Sequence, residues 1–320
     1  MNYYLTISTA SVAAFVSVIY LIRKQREYKW GWCKDKQKLN GKIFIITGSN
    51  SGLGYQTARI LAKRSATVIL ACRCLEKAKE AISNIRKETD EGELIELELD
   101  LANFESVRRF CKEIKEKYTK FHCLIANAGL SLKEPFLTKD NIEVHHQVNY
   151  LSHFLIVNEL FDSIKSNNAK VVIVSSKLHE SGKINFDNFG KIVQSNKRDN
   201  KYYNNTKLMN FYFAKELYRK GIDVNVLCPG LSFTNLFRDY KPKFYHFILF
   251  SPIILFFLKS AEQGAQNIVY CATNSINTDE VNPDKSFIVM NLRQEKSKVN
   301  LKDDVSEKLW KISEKMCRTN

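Results

Sequence analysis

Acidic residues are in short supply. The 320-residue chain carries 34 Asp and Glu against 49 Lys and Arg, a net charge of +15. Glycine is also scarce, at 12 residues, which excludes a collagen. No internal repeat or low-complexity linker interrupts the chain, and 44% of it is hydrophobic against 26% charged. That balance excludes a disordered chain and a multi-span membrane protein. Cys33, Cys72, Cys74, Cys111, Cys123, Cys228, Cys271 and Cys317 include no C-x-x-C pair. A chain this long buries a core without staples, so free thiols in a reducing compartment are expected rather than a disulfide framework or a zinc site.

The positive charge is unevenly spread. No charge precedes Arg23, and +6 of the +15 falls between Arg23 and Lys42. Ahead of it, Tyr3–Ile22 is a 20-residue uncharged stretch. As a helix it would extend about 30 Å, the thickness of a hydrocarbon core. The basic residues follow the apolar run, the reverse of a cleaved signal peptide. The expectation is an uncleaved membrane anchor with the rest of the chain in the cytosol, and Trp30 and Trp32 in the headgroup zone. The endoplasmic reticulum is the expected membrane, with a mitochondrial membrane as the alternative. Residues 1–38 are thus read as anchor and basic juxtamembrane segment, and 39–320 as one catalytic domain.

Downstream, short apolar β-branched runs alternate with helical periodicity. Strands are expected at Ile43–Ile46, Thr67–Ala71, Leu94–Leu99, His122–Ile125, Val171–Val174 and Val224–Leu227. Helices are expected near 55–64, 75–89 and 107–118. This rhythm implies an α/β fold of Rossmann type, a doubly wound parallel sheet covered on both faces. Residues 244–258, rich in Phe and Leu around Pro252, are too short and broken for a comfortable span. They read either as a buried core helix or as a membrane-facing lid over an apolar substrate, and adjacent aromatics favour the lid.

The first strand runs into Thr47-Gly48-Ser49-Asn50-Ser51-Gly52-Leu53-Gly54, which then opens a helix. A backbone that turns sharply beside a pyrophosphate, with amides at a helix N-terminus, needs glycine at those positions. The second strand ends Ala71-Cys72-Arg73 with no acid to accept from a ribose 2′-hydroxyl, and Arg73 suits a 2′-phosphate. NADP(H) is therefore the expected cofactor, with Asn50 as a neighbour. The bland reading of Arg73 is a solvated surface residue. Tyr203 and Lys207 lie four apart, on one face of a helix.

Six motifs follow in order: the glycine loop; Asp100-Leu101; Asn127-Ala128-Gly129; Ser175-Ser176; Tyr203 with Lys207; and Pro229-Gly230 with Thr234. Together they resemble the short-chain dehydrogenase/reductase family over about residues 39–315. Ala71-Cys72-Arg73, the run from Val148 to Phe154, and Glu262-Gln263-Gly264-Ala265-Gln266 resemble its membrane-anchored, retinol dehydrogenase-like branch. The resemblance implies a catalytic set of Asn149, Ser176, Tyr203 and Lys207. Tyr203 would exchange a proton with a substrate oxygen, its phenolate favoured by the Lys207 ammonium. Ser176 would orient that oxygen, Lys207 would hold the nicotinamide ribose, and Asn149 would support a relay water. Asp100 would hold the adenine edge, and Asn127 would brace the sheet beside the cofactor.

The implied activity is interconversion of a lipophilic alcohol and its carbonyl, with retinol and retinaldehyde as the family substrate. A steroid or fatty aldehyde is the alternative, and a non-catalytic cofactor-binding scaffold the rival from another class. Expected partners are the lipophilic substrate, membrane lipid and, as in relatives, a second copy of the chain. No nucleic-acid motif accompanies the charge. His145, His146, His153 and His179 have no metal-ligand spacing and read as structural. A sequon at Asn204-Asn205-Thr206 lies in the catalytic helix, where glycosylation would block the site, consistent with a cytosolic domain.

Overall fold

The computed structural model describes residues 2–193, 202–232, 256, 258–274 and 283–318, apart from the side chains of 2–13, 15 and 16. Eight strands form one sheet: β1 (Ile43–Thr47), β2 (Thr67–Cys72), β3 (Glu93–Glu98), β4 (Cys123–Ala126), β5 (Lys170–Val174), β6 (Val224–Leu227), β7 (Phe287–Met290) and β8 (Arg293–Lys296). Their spatial order is β3-β2-β1-β4-β5-β6-β7-β8. The first seven run parallel, and β8 pairs antiparallel with β7 at the edge. The order reverses between β1 and β4, so a crevice opens there at the carboxyl ends of the strands.

The helices are α1 (Asn2–Trp30), α2 (Gly52–Ala62), α3 (Leu75–Arg86), α4 (Phe104–Lys117), α5 (Val144–His146), α6 (Ser152–Glu159), α7 (Phe161–Ser166), α8 (Tyr202–Arg219), α9 (Ala261–Thr273) and α10 (Asp303–Arg318). A π-helical turn, Gln147–Leu151, joins α5 to α6. Alternation along β1 sorts the two cores. Ile45 packs with Phe104, Phe154, Phe213 and Leu309 from α4, α6, α8 and α10. Phe44 and Ile46 point to the other face, with Ala58, Leu61, Ala81 and Ile268 from α2, α3 and α9. Each such fully buried side chain contributes about 1.5–3 kcal/mol of burial free energy.

The end of α1 docks on this body. The Cys33 amide donates to Gln266 Oε1 at 3.1 Å, and the Trp30 ring lies 5.6 Å from Lys259 Nζ. The uncharged stretch Tyr3–Ile22 lies within α1, and most of its side chains fall outside the described residues. Among the described residues no helix is long and apolar enough to cross a membrane. The expected lid at 244–258 also lies outside them, except for Phe256 and Leu258, as does Thr234. All eight cysteines are free thiols. Among the described residues no cluster of His, Cys, Asp and Glu could hold a metal ion.

Candidate active site

The carboxyl ends of β1, β2, β4, β5 and β6, with the loop after β3, surround one cavity of about 710 Å³. The glycine loop forms one side. Its backbone turns through Gly48 at φ +65° and Gly52 at φ +56°, a region that disfavours L side chains. A Cβ on Gly48 would lie 2.9 Å from Ala128 Cβ, and one on Gly54 only 2.6 Å from both Asn127 Nδ2 and the Gly48 carbonyl. The Ser51 hydroxyl does not cap α2, so the first-turn amides keep no side-chain acceptor from it. Ser51, Gly52 and Leu53 all line the cavity. An uncapped N-terminus on a glycine turn fits the pyrophosphate of a dinucleotide.

Three expected cofactor residues act from behind the wall. Thr47 Oγ1 accepts from the amides of Asn127 and Ala128, each at 3.0 Å, and lies 2.9 Å from His153 Nε2. Burial holds His153 down to about 4, so that ring is neutral. Ser49 is fully buried and donates to the Ile46 carbonyl at 2.9 Å, which turns its hydroxyl away from any ligand. Gly54 gives space rather than contact. Asn127 Nδ2 donates to the Thr47 carbonyl at 2.9 Å, tying β4 to the glycine loop. Among the others, Gly48, Asn50, Ser51, Gly52, Leu53, Arg73, Asp100, Leu101, Asn127, Ala128, Gly129, Pro229 and Gly230 all line the cavity.

Arg73 stands exposed just past β2, whose end, Ala71-Cys72-Arg73, carries no acidic residue. Cys74 is the N-cap position of α3 and makes no side-chain cap; its thiol instead donates to Glu76 at 3.2 Å. Asp100 Oδ1 accepts from the Ala102 amide at 3.0 Å, which shapes the loop after β3.

Across the cavity lie Ser176, Tyr203 and Lys207. Tyr203 and Lys207 share one face of α8, with Lys207 Nζ 5.4 Å from the Tyr203 ring centre. Burial pushes the Tyr203 phenol up, against a hydrogen bond from Ser176 that draws it down. Burial also pushes Lys207 down, to about 8. Desolvation dominates at Tyr203, and Nζ is committed to the Val174 carbonyl at 2.8 Å. Ser175, next to Ser176 in the sequence, faces inward and donates to the Lys207 carbonyl at 2.8 Å. Tyr202, the residue before Tyr203, bonds the backbone of Val193.

Asn149 sits in the π-helical turn, fully buried. Its Oδ1 accepts from the Leu130 amide at 2.8 Å; its Nδ2 donates to the Leu130 carbonyl at 2.9 Å and to Thr206 Oγ1 at 3.1 Å. The side chain therefore clamps the loop after β4. A Cβ on Gly129 would lie in ordinary contact, 3.4 Å from Asn149 Oδ1 and 3.5 Å from Lys207 Nζ, so both groups flank the Gly129 backbone.

Two features at or beside the cavity lie outside the ordered motifs. One is Lys259, which packs on Gly230. The other is the run Leu130–Phe136, whose Leu130, Leu132 and Phe136 line the cavity. The apolar residues just after Asn127-Ala128-Gly129 are the signal that could have marked that wall.

A tyrosine and lysine on one helix face, a serine at the neighbouring strand end and a glycine-rich dinucleotide cradle meet in one cavity. The family model for short chain dehydrogenases matches residues 42–190. Retinol dehydrogenase 14 of Homo sapiens is 36% identical over 301 residues, covering 88% of each chain. The chain belongs to the short-chain dehydrogenase family.

Within that family it falls in the retinol dehydrogenase-like branch. Retinol dehydrogenase 12 of Mus musculus is 35% identical, over 82% of this chain and 83% of that one. Among solved structures, an uncharacterised protein from Mycobacterium Paratuberculosis superposes with a TM-score of 0.67 at 28% identity, covering 90% of this chain and 97% of that one. An alcohol dehydrogenase from Thermococcus sibiricus complexed with 5-hydroxy-NADP shares the fold, with a TM-score of 0.54 at 20% identity over 71% and 88%. This short-chain dehydrogenase is an oxidoreductase that uses a nicotinamide cofactor.

Proposed function

We propose that the protein is an NADP(H)-dependent oxidoreductase that interconverts a lipophilic alcohol and its aldehyde or ketone, retinol and retinaldehyde first among them. The observation that carries this reading is the shared cavity: Arg73 at the end of β2 and Tyr203 with Ser176 at the ends of β5 and α8. The guanidinium, on a strand end that carries no acidic residue, would hold the 2′-phosphate that separates NADP from NAD. The glycine cradle would hold the pyrophosphate, and Lys207 the nicotinamide ribose. When bound, the nicotinamide supplies or accepts the hydride.

The chain's own residues handle the oxygen. Ser176 Oγ donates to the substrate oxygen and orients it. Tyr203 Oη passes its proton to that oxygen as the carbonyl carbon is reduced. The phenol is held protonated by burial, so the resting site presents a proton donor to a carbonyl oxygen. Leu130, Leu132, Phe136 and Val148 give the substrate side an apolar wall that excludes water and suits a lipophilic chain.

A membrane location supports the same substrate class. Residues 3–22 are uncharged and Arg23–Lys42 are strongly basic, so we read α1 as an anchor in the endoplasmic reticulum with the catalytic domain in the cytosol. The test is turnover of NADPH and NADH by the full chain in membranes, with all-trans-retinaldehyde, a steroid ketone and a fatty aldehyde. Preferred use of NADPH with retinaldehyde supports the whole reading. Turnover only on a steroid or fatty aldehyde keeps the chemistry and changes the substrate. Preference for NADH overturns the role of Arg73.

A further inference from the structure

Behind the substrate wall lies a buried ionisable cluster that the chemistry above does not use. Glu143 and His145 are fully buried, and His146 nearly so. Glu143 Oε1 accepts from the His145 amide at 3.1 Å and lies 2.6 Å from His145 Nδ1. Its Oε2 accepts from the His146 amide at 3.0 Å and lies 2.8 Å from His146 Nδ1. Burial pushes the Glu143 carboxyl up, but the two histidine rings outweigh burial and bring it down to about 2. Glu143 is thus a carboxylate, an acceptor only, and both Nδ1 atoms must carry protons.

The other nitrogen of His145 faces the cavity wall. His145 Nε2 lies 2.9 Å from the amide nitrogen of Leu132, which can only donate. His145 is therefore fixed as the Nδ1-protonated tautomer, with Nε2 as acceptor. Glu143 sets that tautomer, and the ring passes the constraint to Leu132. Three further bonds hold the same run: Asn149 grips Leu130 on both sides, and the Val144 amide donates to the Phe136 carbonyl at 3.0 Å. The His145 ring also stacks on Tyr202, the neighbour of Tyr203, at 5.9 Å between centres and 13° between planes.

We propose that His145, oriented by Glu143, is a positioning residue that holds the Leu130–Phe136 run as the apolar wall of the substrate site and so sets affinity for the lipophilic substrate. This rests on the reading of that cavity as a site for a lipophilic carbonyl. His145 touches no reacting atom, so its effect falls on substrate binding and not on proton transfer.

Two substitutions separate its two contacts. In His145→Gln the side-chain carbonyl replaces Nε2 as acceptor for Leu132. In His145→Asn the shorter amide can still donate to Glu143 but cannot reach Leu132. The expected result is a KM for retinaldehyde raised about tenfold in His145→Asn, with the KM for NADPH and kcat within about twofold of wild type. His145→Gln restores the wild-type KM. Amide hydrogen exchange over 130–137 is measured on the same proteins without substrate; it speeds up in His145→Asn and not in His145→Gln. Equal KM in both variants, or a fall in kcat alone, overturns the proposal. If wild type turns over none of the carbonyls, the functional reading fails by itself and exchange decides the clamp. Faster exchange in His145→Asn alone upholds it, and equal exchange in the two variants overturns it.

Discussion

Lys207 Nζ donates to the carbonyl oxygen of Val174 at 2.8 Å, joining the helix that carries Tyr203 to the strand that leads into Ser176. A buried ammonium on a backbone carbonyl has no carboxylate to offset its desolvation, which is why it sits near 8 rather than 10.5. Below pH 8 Lys207 carries its charge; above it the charge is lost. The rate constant for carbonyl reduction, kcat/KM, is expected to fall about tenfold per pH unit above about 8. In Lys207→Arg any residual activity should lack that limb, because a guanidinium stays charged. Steady-state pH profiles of the two proteins check this.

The cofactor cradle gives a sharper steric prediction. Gly54→Ala puts a methyl 2.6 Å from Asn127 Nδ2 and from the Gly48 carbonyl, one of them rigid backbone. The glycine loop must shift, at a cost of about 1–3 kcal/mol. The expected outcome is a melting temperature lowered by several degrees and NADPH binding weakened at least tenfold. Calorimetric titration and thermal melts measure both.

Cofactor choice should turn on one side chain. Arg73→Asp replaces a donor for the 2′-phosphate with an acceptor for the ribose 2′-hydroxyl. The KM for NADPH is expected to rise at least tenfold while that for NADH falls. Arg73 is exposed at the cavity rim, so the melting temperature should stay within about a degree.

Lys259 links the N-terminal helix to the site. Its stem fills the space a side chain would need at Gly230, which sits at φ +82°, and its Nζ donates to Asn291 Oδ1 at 2.7 Å. Burial lowers it to about 8. A lysine depressed in the folded state releases its proton on folding, so its unfavourable contribution is full below pH 8 and eases as pH rises towards 10.5. Lys259→Met keeps most of the stem and removes the charge. Compared with wild type, its melting temperature should gain less between pH 8 and 10. Equal gains in the two proteins would mean Lys259 is not the buried charge.

Much of the fold is legible in the sequence because parallel strands buried on both faces read as unbroken β-branched runs. Val224–Leu227 is found as expected, β1, β2 and β5 differ by one residue at one end, and β3 and β4 are shifted by one residue at both ends. The helix expected from residue 55 starts at Gly52, because the glycine turn leads straight into its first turn. β7 and β8 are not foreseen: β8 is Arg-Gln-Glu-Lys, an edge strand whose polar residues carry no apolar alternation.

At the site, ordered motifs locate the residues but not their partners. Tyr203, Lys207 and Ser176 meet as expected, whereas the phenol is raised because burial cannot be read from spacing. Ser49 and Thr47 belong to the cofactor loop by position, yet their hydroxyls bond the backbone behind it. His145, His146, His153 and His179 each bond within the fold, to Glu143, Glu143, Thr47 and Ser297. What the spacing does not reveal is that Glu143 orients two of them and that one, His145, reaches the cavity wall at Leu132.

The most direct test of the central claim is the loss of reduced nicotinamide absorbance when the full chain in membranes is given NADPH and all-trans-retinaldehyde, compared with Tyr203→Phe. The account predicts turnover by wild type and a fall of about a thousandfold in the variant, with NADPH binding unchanged. Turnover that survives loss of the Tyr203 hydroxyl would contradict it.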